Sequence, residues 1–157
     1  EREFAMPLQL MCYPDALGVD ESFVEAYLTK EFKYIPEGAT PLFLEVALTS
    51  AMIRKDQKAF WYILDRYFKE VQPKKLPRYY QEALLLFLNI DKGNTISVAP
   101  NFVDNFVSKS VQRRLETFVS KTKKYKGMKE EEMAPYFDEF RDTYFYFYFF
   151  VRKIRTN

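Results

Sequence analysis

The clearest alternation of apolar and polar positions lies between residues 57 and 71. Phe60, Ile63, Leu64, Tyr67, Phe68 and Val71 recur at i, i+3, i+4, i+7, i+8 and i+11, which puts all six on one stripe of a helix. This spacing predicts a helix over Gln57–Val71, and the stripe needs a partner. Helices predicted on either side, Pro41–Arg54 and Arg78–Ile90, are apolar enough to supply it. In the first, Leu44, Ala47, Leu48 and Ala51 form a stripe with two small residues, so another helix can come close. Leu42, Phe43, Val46, Met52 and Ile53 make the same helix apolar nearly all round, which predicts contact on two sides. In the third, Tyr80, Ala83, Leu84 and Phe87 line one face and Leu85, Leu86 and Leu88 widen it. The three helices are expected to lie against one another. Thr40 and Asp56 stand where N-caps belong, Pro41 and Pro77 where Pro opens a helix, and Lys92-Gly93-Asn94 where a left-handed residue closes one.

Upstream, Glu1–Cys12 allows a turn or two around Pro7, Glu21–Lys33 reads as a helix, and Pro36-Glu37-Gly38 is a turn. Downstream, Asn101 is placed to cap a brief helix with Phe102, Val103 and Phe106. Ser108–Ser110 is a break where Ser can cap again. Val111, Leu115, Phe118 and Val119 carry the next helix to about Lys124, and Gly127 ends it. A last helical region runs to about Arg155, with interruptions at Pro135 and near Asp142. Inside it, Tyr and Phe alternate from 144 to 149 with the period of a strand. Phe140, Tyr144, Phe147, Val151 and Ile154 keep helical spacing across the same stretch. A strand there would have no partner for its backbone groups, so helix is the preferred reading.

The totals narrow the picture. A chain of 157 residues suits one domain over 1–157 and buries enough surface to fold without a metal or disulfide. Its 16 Phe and 12 Tyr give a few helices a large core. A net charge of +2 is no polyanion-binding signature, and nucleic acid is not an expected partner. Cys12 is the single cysteine, so no internal disulfide forms. The chain starts at Glu1 without an initiator Met, signal segment or apolar run of membrane-spanning length. The expectation is a fragment of a longer chain.

Leu76-Pro-Arg-Tyr-Tyr-Gln-Glu-Ala-Leu-Leu-Leu-Phe87, Ala59-Phe-Trp-Tyr62 and Asp142-Thr-Tyr-Phe-Tyr-Phe-Tyr148 together resemble the C-terminal region of an uncharacterised bacterial family. Its members look like multi-pass membrane proteins followed by a soluble, tetratricopeptide-like helical segment. The resemblance implies an all-α fold of antiparallel helix hairpins stacked as a short α-solenoid-like array, with the parent protein membrane-anchored and this part soluble. It implies no activity.

Candidate chemistry is sparse. There is no histidine and one cysteine, which removes His-based zinc sites, Ser-His-Asp and Cys-His catalysis and thiolate clusters. No Gly-rich phosphate loop occurs. No cofactor or metal is expected, and no catalytic residue is assigned. Asp138, Glu139 and Asp142 read as a solvated helix face. Lys121, Lys123, Lys124, Lys126 and Lys129 could meet phosphates, but they suit a helix C-terminus, and Glu130 to Glu132 cancel much of their field. Trp61, Tyr62, Arg78 and Tyr79 lie off the main stripes, and aromatics with Arg are what protein-binding hot spots are made of. Tyr144, Tyr146 and Tyr148 with Arg152, Lys153 and Arg155 could rest on a lipid surface. The preferred expectation is a non-enzymatic helical scaffold that binds a protein or peptide. The alternatives are a membrane-surface domain docking through its aromatic-basic C-terminus, and an enzyme using only carboxylates with Tyr or Lys.

Overall fold

The computed structural model describes residues 39–91 and 98–151. The expectations for Glu1–Cys12, Glu21–Lys33, Lys92-Gly93-Asn94, Arg152, Lys153 and Arg155 fall outside the described residues. Within those residues the chain is all-helical, and no strand is present. They group into two compact units, divided between Pro73 and Lys74.

The described part of the first unit, residues 39–73, is a two-helix hairpin of α1 (Pro41–Ile53) and α2 (Gln57–Val71) packed on each other. Thr40 caps α1, its hydroxyl accepting the Phe43 N–H at 3.2 Å. Asp56 caps α2, its carboxylate accepting the Ala59 N–H at 3.0 Å. Between the caps, the Lys55 N–H donates to the Met52 carbonyl at 3.1 Å and the Asp56 N–H to the Ala51 carbonyl at 2.9 Å. That pair of bonds is a Schellman closure, and it holds Lys55 at a left-handed φ of 58°. Leu44, Ala47, Leu48, Ala51 and Met52 of α1 are buried, as are Ala59, Phe60, Ile63, Leu64 and Tyr67 of α2. The expected two-sided contact of α1 is only partly realised. Leu42 is 70% exposed, and Phe43, Val46 and Ile53 are half-buried. Leu42 sits about 200° around the helix from Leu44, opposite the packed stripe.

The second unit, 74–91 with 98–151, contains α3 (Arg78–Asp91), α4 (Phe102–Phe106), α5 (Lys109–Lys124), α6 (Glu130–Met133), a 3-10 helix (Ala134–Phe140) and α7 (Tyr144–Phe150). The third helix predicted from the sequence therefore groups with these C-terminal elements, where it packs on α5 and α7. Ser108 caps α5 as expected, accepting the Val111 N–H at 3.3 Å. Asn101 does not cap α4 with its side chain. Asn101 has φ −98° and ψ 7° and follows a turn in which the Phe102 N–H donates to the Ala99 carbonyl at 3.0 Å, where an extended cap residue was expected. Gly127 has φ +95° in open surroundings, so backbone conformation and not space calls for glycine there.

The aromatic run is a helix of seven residues. Thr143 starts it, accepting the Tyr146 N–H at 3.2 Å and donating to the Phe140 carbonyl at 2.7 Å. It ends sooner than the spacing through Ile154 suggested, because Val151 is extended. The core beneath it is built of rings. The Phe118 ring of α5 meets Phe137, Phe140, Phe145, Phe149 and Phe150 at centroid distances of 5.1 to 6.1 Å. The Phe87 ring of α3 meets Tyr144 at 5.8 Å and Tyr148 at 5.7 Å.

Candidate functional site

In the second unit α3 buries residues on almost every side, and two of them are polar: Gln81 and Glu82. Buried polar groups require partners, and both have them. The Gln81 amide donates to the Leu76 carbonyl at 2.8 Å and accepts the Ser108 N–H at 2.9 Å. It thereby ties the start of α3 to the start of α5. Glu82, 1% exposed, accepts the Tyr144 N–H at 3.1 Å, across 62 residues of sequence, and so ties α3 to the first turn of α7.

Beside Glu82 lies an ion cluster centred on Asp142. Arg114 of α5 donates to both carboxylate oxygens, at 3.2 and 2.8 Å, and to the Glu139 carbonyl at 2.6 Å. Arg78 of α3 donates to the Asp142 carboxylate at 3.1 Å and to its carbonyl at 3.0 Å. Burial pushes the Asp142 carboxyl up, but the hydrogen bonds from Arg114 and Arg78 outweigh it, and the net displacement is downward. Glu82 moves the other way. Burial drives its pKa up to about 7; the Tyr144 N–H, Arg78 and Arg114 oppose the rise, and Asp142 adds to it. Two carboxyl groups served by the same arginines thus hold their protons very differently, because one is dry and the other is bonded directly to both guanidinium groups.

On the Arg78 side of α3 there is a half-open cleft of about 350 Å³ lined by Lys75, Leu76, Pro77, Arg78, Gln81, Ser108, Ser110 and Val111. Two cations, two hydroxyls and an amide share the lining with Leu76, Pro77 and Val111, and among the described residues no carboxylate, thiol or imidazole lines it. Such a lining suits an anionic or carbonyl-bearing group. Glu82 is not on the wall. No cluster of three potential metal ligands occurs among the described residues.

The residues singled out from the sequence are divided between the two units. Trp61 and Tyr62 belong to the hairpin, Arg78 and Tyr79 to the second unit. Tyr62 is exposed, while Trp61 is half-buried and its indole N–H has no hydrogen-bond partner among the described residues. Arg78 borders the cleft and serves Asp142. Tyr79, read as lying off the main stripe, is buried with its ring edge-on to Tyr80 at 4.6 Å, because α3 is packed beyond its principal face. Tyr144 is buried too, whereas Tyr146 and Tyr148 keep partial exposure. Burial raises the pKa of the Tyr144 phenol well above its ordinary value. Asp142, read as part of a solvated face, is the hub of the ion cluster. Lys121 leaves the basic run to pair with Glu139, bond the Tyr136 carbonyl and stand 5.1 Å from the Phe137 ring centre. Lys123, Lys124, Lys126 and Lys129 are exposed.

Sequence reasoning missed Gln81, Glu82 and the role of Asp142. The available signal was Gln81-Glu82 embedded between Tyr79-Tyr80 and Ala83-Leu84-Leu85-Leu86. A polar pair inside a helix that apolar and aromatic residues cover nearly all round has to be buried and therefore bonded.

In comparison with known proteins, residues 37–151 match a family of unknown function (DUF6057). Neither the curated proteins nor the solved structures yield a match.

Proposed function

The chain belongs to this family of unknown function, and we propose that it acts as a non-enzymatic helical scaffold, the soluble part of a membrane-anchored protein, holding a protein or peptide partner. The observation that carries this reading is the half-open cleft beside Arg78, with Lys75 and Arg78 in its lining and no carboxylate there among the described residues. An extended segment presenting a carboxylate could place it beside Lys75 and lay apolar atoms on Pro77. The α1–α2 hairpin is the kind of element from which tetratricopeptide-like arrays are stacked, and stacking of such hairpins completes the proposal. No described helix is long and apolar enough to cross a membrane, so attachment in this reading comes through other segments.

A displayed peptide library tests the reading. Acidic peptides should be enriched on the unmodified chain, and Lys75→Glu or Ser110→Glu, which place negative charge at the cleft, should abolish their retention. A library that yields no binder, or binders that hold equally well to both variants, contradicts it.

A second reading, docking on a lipid surface, is favoured by the partial exposure of Tyr146, Tyr148, Phe149 and Phe150 on α7. Vesicles with anionic headgroups should then co-sediment the chain, and Tyr146→Ser with Tyr148→Ser should release it. Tyr144 is unsuitable for this test because it lies in the core. Failure of the unmodified chain to sediment removes the reading.

A further inference from the structure

The connection Asp142-Thr143-Tyr144, where the 3-10 helix gives way to the aromatic helix α7, is gripped from three sides. Arg78 of α3 and Arg114 of α5 hold Asp142. Thr143, fully buried, bonds backward to Phe140 and forward to Tyr146. Glu82 of α3 takes the Tyr144 N–H. The contacts at Asp142 and Thr143 use groups whose charge is fixed at ordinary pH, or a hydroxyl. The contact at Tyr144 uses a carboxyl group in a dry setting, and its charge can change.

Among the described residues, the charged groups facing Glu82 are Arg78 from its own helix, Arg114 from α5 and Asp142 from the connection, and the Tyr144 N–H of α7 donates to it. Both arginines are committed to Asp142 through direct hydrogen bonds. They act on Glu82 only at a distance, and Asp142 offsets them. The Tyr144 phenol remains protonated, since burial raises its pKa. Nothing in the cluster is therefore arranged to neutralise a charge on Glu82 in full, and an incompletely compensated buried charge is costly.

We propose that Glu82 is a proton-operated latch: its protonated carboxyl fits the contact between α3 and the first turn of the aromatic helix, and loss of the proton loosens that helix. In the protonated form the carbonyl oxygen can still accept the Tyr144 N–H, and no charge is left in the dry contact. In the ionised form the hydrogen bond persists but the desolvation cost returns. The pH window follows from the raised pKa. A carboxyl whose closed-state pKa is about 7 against an ordinary 4.5 contributes its full stabilisation below about 4.5. That contribution drains away as pH rises to about 7 and stays constant above it. Closure of α7 should therefore weaken roughly tenfold between about pH 6 and pH 8 by linkage. The inference goes beyond the scaffold reading and does not depend on what occupies the cleft.

Hydrogen exchange of the amides in 143–150, corrected for the intrinsic pH dependence of exchange, tests it. The unmodified chain should lose about tenfold in protection from about pH 6 to pH 8. Glu82→Gln, neutral at both pH values and still an acceptor, should hold its protection constant. Unchanged protection in the unmodified chain, or an equal loss in Glu82→Gln, overturns the latch. Should Glu82→Gln fail to fold, carboxyl-carbon NMR of the unmodified chain decides. A Glu82 midpoint between about 6 and 8, followed by the Tyr144 amide, supports the proposal. A midpoint below about 5, or a Tyr144 amide that does not follow, overturns it.

Discussion

Asp142→Asn is the most informative single change in the second unit. The asparagine keeps the shape and one acceptor oxygen but removes the charge that Arg78 and Arg114 share. Arg114 addresses both carboxylate oxygens, at 3.2 and 2.8 Å, and Arg78 one of them at 3.1 Å. The Asp142 side chain is 41% exposed, so solvent screens both pairs, and each is worth no more than about 1 kcal/mol, as for surface ion pairs. The bidentate geometry places the sum near the upper end, roughly 1–2 kcal/mol. The larger consequence falls on Glu82. It loses a negative neighbour that raises its pKa and gains two arginines released from their partner, so its titration midpoint must fall from about 7. A lower folded-state pKa means less stability drained as pH rises, so the substitution should cost less at about pH 8 than at about pH 6. Urea unfolding at both pH values measures the cost, and carboxyl-carbon NMR reads the midpoint. A Glu82 midpoint that stays at its original value or rises, or a cost larger at the higher pH, would refute the coupling between the two carboxyls.

Three further substitutions address the framework. Lys55→Gly should stabilise the hairpin by about 0.5–1 kcal/mol in thermal unfolding, since Lys55 holds φ 58° in a closure that favours glycine; a loss of stability would contradict the left-handed assignment. Phe118→Ala should cost about 3–5 kcal/mol, because the ring is fully buried and meets five other Phe rings. Near-UV circular dichroism of the aromatic bands should weaken with it, and an intact spectrum would argue against that core. Ser108→Ala should cost about 1 kcal/mol in denaturant unfolding through loss of the α5 cap at Val111, and a neutral result would place the start of α5 elsewhere.

Much of the helical layout was legible because it rests on local physics. The 3.6-residue stripe of α2, the caps Thr40, Asp56 and Ser108, and the breaks at Gly127 and Pro135 are properties of neighbouring residues, and they recur in the structure. The strand-like alternation from 144 to 149 gave way to a helix: Thr143 is available as a cap, and the rings pack against Phe87 and Phe118. The polar site was not legible. It joins Glu82 to Tyr144 and Arg78 to Asp142 across more than sixty residues, and helical periodicity says nothing about which distant segment will meet a buried acid. The same limit explains Asp142. A carboxylate on a charged segment reads as solvated until the arginines of two other helices are known to reach it.

The account rests on residues 144–150 forming a helix whose rings close over Phe118 and Phe87. Isotope-edited NMR of the chain carrying labelled Phe and Tyr measures this directly. Cross-relaxation from the Phe118 ring to Phe145 and Phe149, and from the Phe87 ring to Tyr144, together with helical backbone shifts through 144–150, is the predicted result. Extended-chain shifts there, or rings of Phe118 and Phe87 that show no transfer to the aromatic run, would contradict it.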